Sequence, residues 1–160
     1  MNGVVDVTVS RLIRCERNPL AAFASNPDNA TRWYTNIESV EWRTAPPVSI
    51  GSRVTFVARF LGRHLEYTYE IAEYTPGSMM RMTTSDGPFP METTYRWIDG
   101  PNGGTTMTLR NYGSPKGFSR LLSPFIRFAM RSAMTKDLER LARILESELS
   151  AGSHRRSAAG

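Results

Sequence analysis

One cysteine and two histidines in 160 residues exclude most of the chemistry those side chains bring to small proteins. Cys15 has no partner for a disulfide within the chain, so a packed core must hold the fold, and a reducing compartment suits it. His64 stands in the body and His154 in a polar tail, without ligand-spaced neighbours, so no metal is expected. A Ser-His-Asp or Cys-His arrangement would have to use His64. Neither a Walker loop nor Gly-x-Gly-x-x-Gly occurs, and no cofactor is expected. Met1 to Ser10 lacks the basic start and apolar run of a signal peptide, and no apolar stretch approaches the ~18 residues of a membrane span. The expected location is the cytoplasm.

Positive charge is present but unevenly placed. Residues 1–109 hold ten Arg against eleven acids, and residues 110–160 hold ten Lys+Arg against four acids, so the net +5 belongs to the last third. Any reading of the chain as a partner of nucleic acid or acidic membrane must rest there.

The pattern of apolar residues changes twice along the chain. Val4 to Ile13 alternates as a first strand. Asn18-Pro19 and Asn26-Pro27 each place a capping side chain before a proline and predict two short helices, closed by Trp33 and Tyr34. Six segments then alternate: Ile37 to Arg43, Arg53 to Leu61, His64 to Tyr74, Met79 to Thr84, Met91 to Ile98 and Thr105 to Tyr112. The turns between them are too short for helical crossovers, which predicts an antiparallel meander. After Gly117 the spacing becomes three and four: Leu122, Ile126, Met130, Met134, Leu138, Leu141 and Leu145, with Phe125, Ala129 and Ala133 widening the stripe. Pro124 is expected at a kink or after a short separate turn. Arg120, Arg127, Arg131, Lys136, Arg140 and Arg143 mark the outer face, partly balanced by Asp137, Glu139, Glu146 and Glu148. The expectation is an α+β protein of one domain, residues 1–149, whose seven-stranded antiparallel sheet is covered by one long helix, followed by a flexible tail at 150–160.

Alternation sorts the strand side chains into two faces. Val54, Phe56, Ala58, Phe60, Leu65, Tyr67, Tyr69, Ile71, Met80, Met82, Met91, Thr93, Tyr95, Trp97, Met107 and Leu109 form the face toward the helix. An interior so rich in Tyr, Trp and Met either satisfies its polar tips internally or leaves room for a guest. The second reading is an elongated apolar cavity between sheet and helix. Its candidate ligand-binding residues are Phe56, Phe60, Tyr67, Tyr69, Met82, Met91, Thr93, Tyr95, Trp97, Met107 and Asn111 from the sheet, with Phe125, Ala129 and Ala133 from the helix. Tyr67, Tyr69, Tyr95, Thr93 and Asn111 would orient the guest.

Asn18 to Trp33, Gly51, Glu70-Ile-Ala-Glu-Tyr-Thr-Pro76-Gly77, Tyr95-Arg-Trp97, Gly103-Gly104-Thr105-Thr106 and Asp137 to Glu146 stand in a characteristic order and spacing. Together they resemble the SRPBCC superfamily and, within it, the polyketide cyclase/dehydrase-like family related to START proteins. The resemblance spans about residues 4–148 and implies a helix-grip fold, a curved seven-stranded sheet wrapped around a long C-terminal helix with a hydrophobic cavity between. It implies no single activity, since such folds host cyclases, dehydratases and lipid carriers, and it transfers no catalytic residue.

Three readings of function follow. The first is a binder, or carrier, of a small hydrophobic or amphipathic molecule such as a lipid, polyketide or isoprenoid. The second is an enzyme of cyclase or dehydratase type acting in the same cavity without a recognisable catalytic motif, with Tyr67, Tyr69 or Tyr95 as hydrogen-bond donors to an enolate or ketone. The third is an interaction module using the basic helix, with Arg127 and Arg131 as the place for an anionic membrane; nucleic acid is not expected, and oligomeric state is left open. His64 is expected outside rather than as a base. Arg59 and Arg81 are expected outside too, unless a bulge reverses their strand. Glu66, Glu70 and Glu73 are expected on a solvated outer face rather than as a catalytic carboxylate pair.

Overall fold

The computed structural model describes residues 4–114 and 123–159, with backbone alone at Ser123, Ser150, Ser153 and His154. Its elements are β1 (Val5–Ile13), α1 (Arg17–Ser25), α2 (Ala30–Trp33), β2 (Ile37–Trp42), β3 (Arg53–Phe60), β4 (Arg63–Thr75), β5 (Met79–Asp86), β6 (Met91–Asp99), β7 (Thr105–Gly113) and α3 (Ser123–Ser157). Strand limits fall within two residues of those predicted.

The seven strands form one antiparallel sheet in the order β1-β7-β6-β5-β4-β3-β2, so the meander of β2 to β7 is closed on one side by the first strand of the chain. Pairing is interrupted where β2 meets β3, between Ile37 and Ser39, and where β4 meets β5, on either side of Tyr69 to Ile71. Such irregularities bend a sheet, and this sheet curls as a half-barrel around α3, the helix-grip arrangement. β3 and β4 are joined by Leu61-Gly62, both at positive φ, since Phe60 pairs directly with Arg63. A two-residue hairpin turn requires that backbone, and Leu61 adopts it despite its Cβ.

Alternation survives the bulges. Met80 and Met82 are buried while Arg81 between them points out, its guanidinium bridging Glu73 and Glu92. Arg59 also points out, donating to Glu38 and to His64 Nε2, and His64 is exposed. The register question at both arginines is thereby answered in favour of solvent. The outer face is not uniformly wet, however. Thr55 and Thr94 are buried there, and Thr55 Oγ1 lies 2.8 Å from Thr68 Oγ1 while accepting from Arg43 Nε. Long arginine stems lying over a sheet cover threonines that alternation alone assigns to water.

The helices differ from expectation at their ends. α1 begins at Arg17, with Glu16 at its cap, so Asn18 lies inside the first turn instead of capping it. Asn26 does cap the following 3-10 turn, accepting from the Asp28 backbone N–H. α3 is described over Ser123–Ser157, with Pro124 the second residue of that span. The expected inward Leu122 lies outside the described residues. The helix also continues to Ser157 instead of ending near Leu149. No proline interrupts residues 150–157, and Arg155 and Arg156 suit the negative end of the helix dipole.

The most deeply buried part of the core gathers residues of α1, α2, the ends of β1, β6 and β7, and the later turns of α3. Ile13, Leu20, Trp33, Trp97, Met107, Leu138 and Leu141 are all buried there. Toward the start of α3 the packing opens.

Candidate functional site

Between the opened part of the sheet and α3 lies a cavity of about 150 Å3. An apolar void of about 150 Å3 accepts a ligand of benzene size. Strands β3 to β7 supply one wall, α3 the other, and the segment leading into β2 closes one end.

The α3 wall follows helical spacing: Ile126, Met130, Ala133, Met134 and Asp137 all face the cavity. From Ile126 to Asp137 is about 16 Å of helix axis. Arg63, Phe60 and Leu65 line the cavity from the β3–β4 hairpin, and Phe89 and Met91 from the start of β6. Tyr34, Tyr69, Tyr95 and Asp137 form the inner group.

Of the candidate residues named from sequence, Phe56, Phe60, Tyr67, Tyr69, Met82, Met91, Thr93, Tyr95, Asn111 and Ala133 line this cavity. Trp97 and Met107 do not: both are buried in the dense core, on the same sheet face but beyond the cavity's inner end. Ala129 is not in the wall, and Phe125 is 57% exposed. An apolar stripe read as one broad face was too wide, because the wall uses the narrow strip through 126, 130, 133, 134 and 137.

The polar groups of the wall are few. Tyr34 Oη and Tyr95 Oη share a short hydrogen bond. Thr93 Oγ1 donates to Asn111 Oδ1 at 2.8 Å, fixing the amide against the wall. Burial raises the Tyr34, Tyr67 and Tyr95 hydroxyls well above the ordinary tyrosine range and pushes Tyr69 up to about 12, the Thr93 hydroxyl pulling the latter down. All four remain neutral donors at physiological pH.

Asp137 was expected among charges balancing the outer face of the helix. It is 2% exposed and stands in the cavity wall. The correction has a simple helical origin: position 137 lies three residues after Met134 and four before Leu141, on the buried stripe itself. Its Oδ1 accepts from the Thr35 backbone N–H at 2.8 Å and from Thr35 Oγ1 at 2.9 Å. Among the described residues Oδ2 accepts no hydrogen bond and no cation forms an ion pair with the carboxyl. Loss of hydration pushes Asp137 up to about 6, against the lowering pull of the Thr35 donors and of Arg140 one turn on.

Tyr34, Asn36, Arg63, Phe89 and Asp137 were missed as wall residues by sequence reading. Tyr34 and Asn36 lie in an irregular segment that carries no period; Asp137 carried the signal, in its place on the helical stripe. Among the described residues no group of three or more His, Cys, Asp or Glu could hold a metal ion, and no helix is long and apolar enough to cross a membrane. Arg127 Nη2 donates to the Val4 carbonyl and Arg131 Nη1 to the Thr8 carbonyl, so both basic side chains lie along β1.

Comparison with known proteins agrees with this geometry. A protein of Thermus thermophilus superposes with a TM-score of 0.78 at 18% identity, over 89% of this chain and 98% of that one. A START superfamily protein from Mycobacterium smegmatis gives 0.77 at 9% identity, over 91% and 99%. The Zhui aromatase/cyclase from a Streptomyces strain gives 0.76 at 10% identity, over 92% and 96%. At these identities the likeness is one of fold. No curated protein matches the sequence. The profile of the family described as polyketide cyclase / dehydrase and lipid transport matches residues 4–146, and with nearly the whole chain covered, this protein belongs to that family, within the SRPBCC superfamily.

Proposed function

We propose that the protein binds a small hydrophobic or amphipathic molecule in the cavity between sheet and α3, and carries it. The observation that supports this reading is the composition of the wall: Phe56, Met82, Ile126, Met130 and their neighbours are apolar, while the polar groups are few, at the inner end, along Thr93–Asn111 and at Arg63 of the β3–β4 hairpin. A wall of this kind holds an apolar body and orients it through a few polar contacts. The family and its fold suit ligand binding. The volume suits a guest of one ring or a short chain, unless the walls part.

Indole, followed by ligand-observed NMR, tests the proposal. Saturable binding is expected, lost in Ala133→Phe, whose ring would occupy the cavity. Absence of binding, or binding unchanged by that substitution, would overturn it.

A second reading, an enzyme closing or dehydrating a polyketide-like guest, has one observation in its favour: neutral tyrosine donors and a carboxylate share the inner wall. Native mass spectrometry after exposure to lipid and aromatic extracts separates the two, since a carrier returns its guest unchanged and an enzyme returns it altered. The reading as a membrane or macromolecule module is weakened by the engagement of Arg127 and Arg131 with the carbonyls of Val4 and Thr8.

A further inference from the structure

We propose that the inner end of the cavity is a site for a ligand bearing a protonated amine, with Asp137 as its counter-ion beside the rings of Tyr34, Tyr69 and Tyr95. This deepens the cavity reading and rests on it.

The first observation is the carboxyl itself. Asp137 is 2% exposed and lines the cavity, with both of its hydrogen bonds, from Thr35, falling on Oδ1. A carboxylate taken out of water requires a compensating cation or a fuller set of donors. Neither is supplied among the described residues. Arg140 acts only through space from an exposed position. The hydroxyls of Tyr34 and Tyr95, both neutral, lie near enough to feel the Asp137 charge, and Tyr69 and Arg63 line the same cavity, Arg63 from the β3–β4 hairpin. At neutral pH the carboxyl is mainly ionised, so the inner end carries negative charge without a partner.

The second observation is the aromatic lining. Three tyrosine rings share the inner wall with the carboxyl. The face of such a ring attracts a cation, more so once the cation is desolvated. A carboxylate and aromatic rings together favour an ammonium group over a hydroxyl, which brings no charge, and disfavour a carboxylate head, which is repelled. A fatty acid would therefore avoid placing its head inward. Beyond the inner end Phe56, Met82, Met130 and Ile126 offer apolar surface, broken by the Thr93–Asn111 pair and by Arg63 at the β3–β4 hairpin, so the body of the ligand is mainly apolar.

Three probes of one shape but different charge provide the test at pH 7.5: 2-phenylethylamine, 2-phenylethanol and 3-phenylpropionate. The amine is expected to bind the full chain about tenfold more tightly than the alcohol, with the acid weakest. In Asp137→Asn the amine should lose about tenfold, and the alcohol less than about threefold. In the unsubstituted protein, saturation with the amine should lower the pH midpoint of the Asp137 carboxyl carbon. An alcohol that binds as well as the amine, or an amine advantage that persists in Asp137→Asn, would overturn the inference and leave the cavity reading standing. Failure of all three probes would overturn it as well, and indole then decides whether the cavity reading falls with it.

Discussion

The two faces of the sheet treat carboxylates in opposite ways. On the outer face Asp6 receives a two-pronged contact from Arg110, Nε at 2.9 Å and Nη2 at 2.8 Å, and Glu73 and Glu92 flank Arg81. The hydrogen bonds from these arginines hold the Asp6 and Glu73 carboxyls below their ordinary range. On the inner side Asp137 has Thr35 but no cation among the described residues, and desolvation holds it above the ordinary range. These three outer carboxylates are each met by a guanidinium in solvent, whereas the inner one burdens the fold. A charge that burdens a fold and stands on a cavity wall is the usual signature of a binding or reacting site.

Linkage gives the two faces opposite signs. Asp137 has a raised native pKa, so its contribution to stability is fully present below its ordinary value, near 3.8, and is lost as pH rises through about 6. Asp6 and Glu73 are depressed, so theirs is present above the ordinary carboxylate range and fades as pH falls through the lowered values.

The largest expected effect is therefore a gain. Asp137→Asn keeps an oxygen to accept the Thr35 bonds and removes the buried charge, and urea unfolding at pH 7.5 should show stabilisation of up to about 3 kcal/mol, from a shift of roughly two pH units. The gain should vanish by pH 4. A loss of stability at pH 7.5 would mean that the Thr35 contacts need the carboxylate and outweigh its desolvation. Next, Tyr34→Phe removes one hydroxyl of a part-buried pair and leaves the buried Tyr95 without its partner, at an expected loss of about 1 kcal/mol by the same assay. Leu61→Asn relieves a left-handed backbone at the hairpin tip and should raise stability by up to about 1 kcal/mol. The smallest effect belongs to the outer face: Asp6→Asn should lose less than about 1 kcal/mol, and less still in high salt. A loss at Asp6 larger than the change at Asp137 would invert the comparison.

Much of the architecture was legible because the relevant periods are strong. Six alternating segments separated by Pro- and Gly-bearing turns specify the meander of β2 to β7, and Met80-Arg81-Met82 shows in three residues which way β5 faces. The cavity was legible as a face rich in Tyr and Met, but its extent was not. Trp97 and Met107 share that face with Tyr95 and Leu109 yet are covered by the dense core. Alternation reports the side of a sheet, and the void depends on how far along the strands the helix stays in close contact. Phe125 misled for a related reason: it lies beside the stripe of α3 that faces the cavity and stays exposed. Asp137 is the instructive case. Reading residue type before position assigned it to the solvated face, whereas its spacing from Met134, Leu138 and Leu141 placed it inside. Tyr34 and Asn36 enter the wall from an irregular segment fixed by tertiary contacts, the Thr35 bonds to Asp137 among them.

The measurement that bears most directly on this account is a carbon-13 NMR titration of the aspartate carboxyls in the ligand-free protein. It should show one aspartate with a midpoint near 6, absent from Asp137→Asn, while Asp6 titrates below the ordinary range. An Asp137 midpoint at or below its ordinary value of 3.8 would contradict it, because the carboxyl would then already be compensated within the protein and the inner end of the cavity would have no unmet charge to offer a ligand.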